Sequence, residues 1–158
     1  MIYSSPEQLT SDHLLTEFDC GEPALNEWLS RKALANHFSG ASRTWVVTTT
    51  GSHSVVAFYA SATASLLREA TPRAPSYNQP NQIPAVFLCR MGVDQKHQEQ
   101  GLGAGLLKHF MLKAFEVSQL IGIRLVLAHA KDRQAGEFYQ HYGFIESTVD
   151  PLTLLMRI

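Results

Sequence analysis

The stretch from residue 85 to residue 121 constrains the fold most, because a strand pattern, a glycine-rich loop and a helical pattern follow one another there. AVFLCRMGV, residues 85–93, is an apolar run with one charged residue, which is typical of a strand buried on both faces. Apolar residues then recur every three or four positions from Leu102 to Ile121, which predicts a helix that ends at Gly122. This strand–loop–helix unit indicates an α/β protein.

The rest of the chain extends this unit into the order helix, two antiparallel strands, strand–helix–strand–helix and a last strand. The predicted elements are a helix from Pro23 to the Ser39–Gly40 break, a hairpin of strands 43–50 and 55–63, a strand over 123–130, a helix that begins at Asp132 and runs to about Tyr142 before Gly143 ends it, and a final strand over 152–158. The polar, proline-rich segment 65–84 reads as a long loop. The pattern predicts a mixed sheet flanked by helices.

Composition limits the class of protein. The chain has 158 residues, of which 45% are hydrophobic and 17% charged, and this suits one domain over 1–158 with a hydrophobic core. Its net charge of −1 gives no global signal for nucleic acid, so any basic surface must be local. No apolar run reaches the roughly 18–20 residues of a membrane helix, and the N-terminus does not resemble a signal peptide. We expect a reduced, cytoplasmic protein that binds no membrane.

Cysteines and histidines give no sign of a metal site. Cys20 and Cys89 lack the spacing of a metal or redox motif. The seven histidines show no ligand spacing either, so we expect no metal.

Three alternating glycines, Gly101, Gly103 and Gly105, lie where the predicted helix begins. A helix N-terminus has unpaired N–H groups and the positive end of the helix dipole, and glycine leaves room for a phosphate to approach them. A nucleotide-binding Walker loop is excluded because Leu106 and Leu107 follow, where that motif needs lysine and a hydroxyl residue. A phosphate site and simple close packing of helix against strand both remain open.

The spacing Gln98-x-x-Gly101-x-Gly103 resembles the pyrophosphate loop of the GNAT N-acetyltransferase superfamily, Gln/Arg-x-x-Gly-x-Gly/Ala. FYQHYGF, residues 138–144, resembles the Phe-Tyr-x-x-x-Gly-Phe motif of the same superfamily. FDCG near the start, SRTWVV, RMGVD before the loop and DPLTLLM at the end are similar to the acetyltransferase toxins of bacterial type II toxin–antitoxin modules. The resemblance implies the GNAT fold: an α/β domain with a mixed, twisted sheet flanked by helices.

This resemblance also implies a function. A protein of that group transfers an acetyl group from acetyl-CoA to the amino acid of an aminoacyl-tRNA, which blocks translation. The implied partners are the charged tRNA, a small antitoxin with a ribbon–helix–helix part, and a second copy of the chain in a homodimer. Two alternatives remain: an acetyltransferase of the same fold that acts on a small amine or a protein, and a catalytically silent domain that binds CoA or a protein partner.

The resemblance places the acetyl-CoA site in one continuous segment. The implied binding residues are Met91, Val93, Gln98, Gln100, Gly101, Leu102, Gly103 and Ala104. Met91 and Val93 would offer strand backbone groups to the pantetheine chain, and a backbone N–H near Met91 would polarise the thioester carbonyl.

Tyr139 is the expected general acid. It is the tyrosine of the motif-like FYQHYGF segment. A phenol with a pKa near 10 is protonated at neutral pH and can donate a proton to a leaving thiolate. The alternative is a structural tyrosine in the core. Tyr142, one turn further along, occupies a position that needs only bulk and is expected to be structural.

Three cations are candidate substrate residues. Arg90 is a charged residue within an apolar strand, and it either holds substrate or points outward from the sheet. Arg43 and Lys32 are candidates for a surface that faces tRNA, although scattered charges are more often ordinary surface. The predicted strand 85–93 contains no carboxylate, so it offers no base to deprotonate an acceptor amine. This absence favours an α-amino group over a lysine side chain as acceptor.

Overall fold

The computed structural model describes residues 2–158, whose contacts divide the chain into two units. The first unit comprises the chain up to Ala62 together with Arg90–Phe110, and the second comprises Thr63–Cys89 together with Met111–Ile158. The elements in chain order are β1 (Glu7–Gln8), α1 (Pro23–Arg31), α2 (Ala33–Ser39), β2 (Arg43–Thr48), β3 (Val55–Leu67), a 3-10 turn (Arg68–Ala70), α3 (Arg73–Ser76), β4 (Gln82–Val93), a 3-10 turn (Gln95–His97), α4 (Leu102–Ser118), β5 (Leu125–His129), α5 (Arg133–His141), β6 (Ile145–Glu146) and β7 (Thr153–Arg157). The strands lie in the order β1-β2-β3-β4-β5-β7-β6 of one mixed sheet, flanked by helices.

Aromatic packing organises the first unit. β2 pairs antiparallel with β1 and with β3, which buries Phe58 completely. Trp28 of α1 stacks on Phe58 with 6.1 Å between ring centroids, and Phe18 meets the same ring edge-on at 5.5 Å. Gly92 of β4 lies against this cluster so closely that a Cβ there would be 3.2 Å from Phe58 and 3.1 Å from Leu25. Helix α1 therefore packs almost directly on the strand backbone.

Parallel pairing organises the second unit. Ala85–Leu88 of β4 pairs with Leu125–Ala128 of β5, and β7 pairs antiparallel with the other edge of β5. The core cluster here consists of Ile83, Ala85, Leu125, Leu127 and Leu155, all nearly inaccessible to solvent. The register of β4 with β5 ends at Leu88 and Ala128. The continuous apolar sequence of these strands reflects burial on both faces.

Most of the predicted architecture is confirmed. The hairpin of β2 and β3, the strand–helix–strand–helix order and the final strand are all present. The carboxylate of Asp132 accepts the N–H of Ala135 at 2.9 Å, as expected of a helix N-cap. Helix α5 ends at His141, and Gly143 follows with a φ of 98°. The first helix is interrupted, however: Lys32, with a φ of −120°, separates α1 from α2.

The long loop predicted over 65–84 is wrong. Strand β3 continues to Leu67, β4 begins at Gln82, and a 3-10 turn and α3 fill the interval. The N–H of Arg68 donates to the carbonyl of Asn81 at 2.9 Å. This hydrogen bond joins the two ends of the segment between β3 and β4. Pro72 is the N-cap of α3 and Pro75 lies within its single turn, where a missing backbone N–H costs no helical hydrogen bond.

The predicted end of the long helix at Gly122 is also wrong, because α4 ends four residues earlier at Ser118. The hydroxyl of Ser118 donates to the carbonyl of Phe115 at 2.6 Å, and the N–H of Leu120 donates to the carbonyl of Val117. The i−3 backbone bond of Leu120 tightens the chain just after Ser118, as is common at helix C-termini. The two-residue strands β1 and β6 were not predicted either. None of the helices within residues 2–158 has the length and apolar character that crossing a membrane requires.

Replacing the cap of α5 should lower stability. We expect Asp132→Ala to reduce the free energy of unfolding by about 1 kcal/mol, because the Ala135 N–H loses its acceptor. Asp132→Asn retains a side-chain oxygen and should stay within about 0.5 kcal/mol of the parent protein. Urea unfolding followed by circular dichroism measures both, and equal stability of all three proteins would contradict the capping role.

Candidate functional site

The last residues of β4 differ from its first ones in their surroundings. Strand residues from Ile83 to Leu88 are mostly buried, whereas Arg90 is exposed and Met91 and Val93 are half-buried. Because side chains alternate along a strand, Met91 and Val93 share one face and Gly92 turns towards Phe58 on the other. This end of β4 is the part of the strand that leads out of the core towards the glycine loop.

A buried carboxylate holds the point where β4 ends. Asp94 is only 8% exposed, and its two oxygens accept the N–H groups of Asp19 at 3.0 Å and Lys96 at 2.9 Å. Its own N–H donates to the carbonyl of Val56 at 2.8 Å, and the N–H of Gln95 donates to the carbonyl of Asp19 at 2.8 Å. Three of these four hydrogen bonds fix the entrance of the loop to the segments of Asp19 and Val56, and the bond from Lys96 closes the turn itself.

The loop itself is held by two further side-chain bonds. The Gln98 amide donates to the carbonyl of Val93 at 3.0 Å, and the Tyr3 hydroxyl lies 2.9 Å from Nδ1 of His97. The backbone then passes through two left-handed residues, Glu99 with a φ of 64° and Gly101 with a φ of 80°. This path turns the chain from the strand into α4.

The start of α4 has the geometry of an anion site. The first bond of the helix runs from the Gly105 N–H to the Gly101 carbonyl at 3.0 Å, so the N–H groups of Leu102, Gly103 and Ala104 have no helical acceptor. A Cβ placed on Gly101 would meet no atom of residues 2–158 within 4 Å apart from its chain neighbours. Open space, free donors and the positive end of a 17-residue helix together suit a pyrophosphate.

All eight residues predicted to bind acetyl-CoA lie in this strand end, loop and first helical turn. Gln98 has a visible local task, since it ties the loop to β4. Gln100 lies between the two left-handed residues, and Gly101 is the second of them, directly before α4. Their binding roles remain predictions.

Of the predicted substrate cations, Arg90 is the most constrained. Its guanidinium lies over the ring of Trp28, 4.7 Å from the centroid, so an exposed charge is held in place by stacking. Arg43 begins β2 and donates from Nη1 to the carbonyl of His37 at 2.8 Å. Lys32 lies exposed at the junction of α1 and α2.

Tyr139 lies in the second unit, on α5, with its ring 7% exposed. Phe138 and Phe144 pack on it with centroids 5.3 and 5.6 Å away. Burial raises the pKa of Tyr139 to about 12. Its hydroxyl makes no hydrogen bond within residues 2–158, and it is not among the fully buried side-chain oxygens that lack a partner there, so the oxygen keeps some exposure to solvent. The Tyr139 phenol therefore stays protonated at neutral pH and does not donate its proton to another protein group.

Tyr142 has a different environment one turn along the chain. It is 43% exposed and contacts Phe138 and His141 through its ring. It is therefore a good comparison for Tyr139: the same functional group without the same burial.

Sequence reasoning missed two residues that support this site. Asp94 and Trp28 were not predicted as functional, yet one anchors the loop and the other positions Arg90. An aspartate directly before a loop is a common cap, which gave a usable signal for Asp94. Nothing in the sequence indicates that residues 28 and 90 meet. Among residues 2–158 there is no cluster of three or more His, Cys, Asp or Glu side chains placed to share a metal ion.

Comparisons with known proteins identify a family and several relatives of this chain. The model of the acetyltransferase (GNAT) domain family matches residues 40–146. The tRNA-acetylating toxin of Mycobacterium tuberculosis is 38% identical over 154 residues, which cover 98% of this chain and 92% of that protein. The structure of AtaT complexed with acetyl-methionyl-tRNAfMet matches with a TM-score of 0.91 and 29% identity, covering 98% of this chain and 94% of that one. A tyrosine-to-phenylalanine mutant of AtaT, bound to the C-terminus of the antitoxin AtaR and acetyl-CoA, matches with a TM-score of 0.82 and 28% identity, covering 98% and 92%.

A negative charge at the start of α4 should prevent acetyl-CoA binding. We expect Gly103→Glu to raise the dissociation constant about tenfold or more, because a carboxylate would occupy and repel the position of the pyrophosphate. Isothermal titration calorimetry with acetyl-CoA measures the effect.

Gly105→Glu is the matched control. It adds the same charge two residues later, about 200° around the helix, on an exposed position. It should bind acetyl-CoA nearly as the parent does. Unchanged affinity in a folded Gly103→Glu protein would contradict the anion site.

Proposed function

Since this chain belongs to the GNAT acetyltransferase family, as a relative of the tRNA-acetylating toxin, we propose that it transfers the acetyl group of acetyl-CoA to the α-amino group of an aminoacyl-tRNA and so blocks translation. The observation that carries the proposal is the open, glycine-lined start of α4 directly after β4. That arrangement offers backbone donors to a pyrophosphate and strand backbone to the chain attached to it.

Binding of acetyl-CoA uses backbone more than side chains. The N–H groups of Leu102, Gly103 and Ala104 receive the pyrophosphate, with Gln100 and Gly101 forming the approach. Met91 and Val93 offer strand N–H and C=O groups to the pantetheine, and an N–H near Met91 polarises the thioester carbonyl. The thioester supplies the activated acetyl group.

The acceptor must be neutral to attack. At about pH 7.5 only about 0.1% of a lysine side chain with a pKa of about 10.4 is neutral, whereas roughly a quarter to two-fifths of an α-amino group is. The ester of an aminoacyl-tRNA withdraws electrons and lowers the α-amine pKa further. Strand β4, from Gln82 to Val93, contains no carboxylate that could act as base.

Arg90 supports the same choice of acceptor. Its guanidinium is fixed over Trp28 and exposed on β4. A fixed positive charge beside the acceptor disfavours the protonated amine and lowers its pKa. Arg43 and Lys32 add positive charge for the phosphates of the tRNA.

Tyr139 completes the transfer as general acid. When the new C–N bond forms and the C–S bond breaks, the Tyr139 hydroxyl gives its proton to the leaving sulfur, the amine nitrogen loses one proton to water, and water returns a proton to the Tyr139 phenolate. The pKa of about 12 keeps Tyr139 protonated through the neutral and mildly alkaline range. Its hydroxyl needs to break no protein hydrogen bond first.

The proposal also includes the binding partners of the protein and its cellular location. The toxin AtaT has been seen with tRNA and with the C-terminus of the antitoxin AtaR. By analogy, a small antitoxin with a ribbon–helix–helix part neutralises this chain. The chain acts as a homodimer in the cytoplasm, where charged tRNA is available.

Removing one hydroxyl should separate binding from chemistry. We expect Tyr139→Phe to lower kcat about 100-fold or more while the acetyl-CoA dissociation constant stays unchanged, because only the proton donor is lost. Steady-state kinetics and calorimetry measure the two quantities. In the parent enzyme, the raised pKa predicts no decline of kcat from Tyr139 ionisation between about pH 7 and pH 10.

Tyr142→Phe removes the same hydroxyl from the half-exposed tyrosine and should leave kcat within about twofold. Normal turnover by Tyr139→Phe at saturating substrate would show that another group is the acid.

The acceptor can be identified directly. Enzyme and labelled acetyl-CoA are incubated separately with charged tRNA, uncharged tRNA and a lysine-rich protein. We expect label only on the amino acid of charged tRNA, since only that acceptor has a largely neutral amine. Efficient labelling of lysine side chains, with charged tRNA untouched, would overturn the proposal.

A further inference from the structure

An open cleft of about 660 Å³ in the second unit is lined by three arginines and no acidic residue. Arg73 begins α3, Arg124 precedes β5, and Arg157 ends β7. The remaining polar lining comes from Tyr77, Asn78 and Gln79. Three separate parts of the chain thus bring positive charge to one depression in the surface.

Within residues 2–158, these arginines have no carboxylate partner. Arg31 and Lys113, by contrast, each lie within 4 Å of a carboxylate oxygen, at 3.6 and 3.4 Å. Arg124 donates from Nε to the carbonyl of Pro75 at 3.0 Å, which anchors the side chain and leaves its four terminal N–H groups. Arg73 and Arg157 are exposed.

Such an arrangement is unfavourable for an isolated domain. The chain has 14 acidic residues against 13 lysines and arginines, so carboxylates are plentiful, yet none lines this cleft. Like charges that line one depression repel each other, and a bound anion relieves that repulsion. The planar guanidinium matches a phosphate through two parallel hydrogen bonds.

The other lining groups favour RNA over a small anion. Tyr77 is 72% exposed, and its ring makes no contact with another ring within residues 2–158. A flat ring beside arginines can stack on a base, and the amides of Asn78 and Gln79 can bond to sugar or base edges. An open depression also accepts a continuous backbone, where a small anion would be better held by an enclosed pocket.

We propose that the cleft between Arg73, Arg124 and Arg157 is a binding site for the phosphodiester backbone of RNA. The inference rests on the proposed function, since it assigns this site to the tRNA substrate. The cleft strengthens binding of the RNA and takes no part in the acetyl transfer itself.

The test variant is Arg73→Gln/Arg157→Gln, which removes two charges from exposed side chains and keeps the Arg124 anchor. The control is Arg31→Gln/Lys113→Gln, which removes two charges that already have carboxylate partners, Glu27 and Glu116. The full-length proteins are compared by circular dichroism first, so that both variants are known to be folded.

Two acceptors separate RNA binding from chemistry. Kinetics are measured with charged tRNA and with an amino acid methyl ester, which carries the same α-amine without RNA. For the test variant we expect KM for charged tRNA to rise about tenfold or more, because two phosphate contacts are lost. We expect kcat, KM for acetyl-CoA and turnover of the ester to remain unchanged. The control should match the parent in every measurement.

Binding to uncharged tRNA is followed by fluorescence anisotropy at several salt concentrations. The slope of log affinity against log salt should fall by about one to two units in the test variant, as each lost phosphate contact lowers it by roughly 0.7–0.9. A slope and a KM equal to those of the control would overturn the cleft as an RNA site. An equal loss on the methyl ester would also overturn it, since the cleft would then act on chemistry.

Two further outcomes are distinguishable. If the parent protein does not acetylate charged tRNA, the proposed function fails, while the anisotropy measurement still decides whether the cleft binds RNA. If the test variant loses affinity for poly-glutamate but not for tRNA, the cleft binds an acidic peptide and the RNA inference is wrong.

Discussion

The hydrogen bonds that the buried Asp94 carboxylate accepts are the interactions on which the glycine loop depends. This carboxylate accepts two backbone N–H groups, from Asp19 and Lys96, at the point where β4 leaves the core. A buried carboxylate without such donors would be costly, so the two bonds and the charge stabilise each other. The glycine loop starts from this fixed point, and the direction of α4 follows from it. The proposed binding of a pyrophosphate through backbone donors needs that kind of rigid origin.

Strand β4 combines two tasks that require different surroundings. Its first half is buried in parallel pairing with β5, and its second half carries exposed Arg90 beside the aromatic cluster. Gly92 permits the close packing of the aromatic cluster on this half of the strand. Because Gly92 has no Cβ, Leu25 and Phe58 lie only about 3 Å from the position that a Cβ would occupy. The aromatic packing that stabilises the first unit is therefore also what holds Arg90 in position.

The net charge of this protein does not reveal how its charges are distributed locally. A net charge of −1 excludes a globally basic surface, yet three arginines line one cleft without a carboxylate. Tyr139 is the opposite case, since a neutral phenol is buried among aromatic rings and its pKa is raised to about 12. One arrangement attracts anions, and the other keeps a proton in place. Both depend on what surrounds the group more than on its identity.

The sequence by itself determined the order of the elements, the glycine loop at the start of a helix, the Asp132 cap and the candidate Tyr139, because periodicity, capping and short motifs are local properties. It misjudged segment 65–84, where β3 and β4 extend further and Arg68 bonds to Asn81, and it misjudged the end of α4, where short-range hydrogen bonds end the helix early. Only the tertiary structure decided that Arg90 stacks on Trp28 and that Arg73, Arg124 and Arg157 line one cleft. Those contacts join residues that are tens of positions apart, and no local pattern records which distant side chains the packing of strands and helices will bring together.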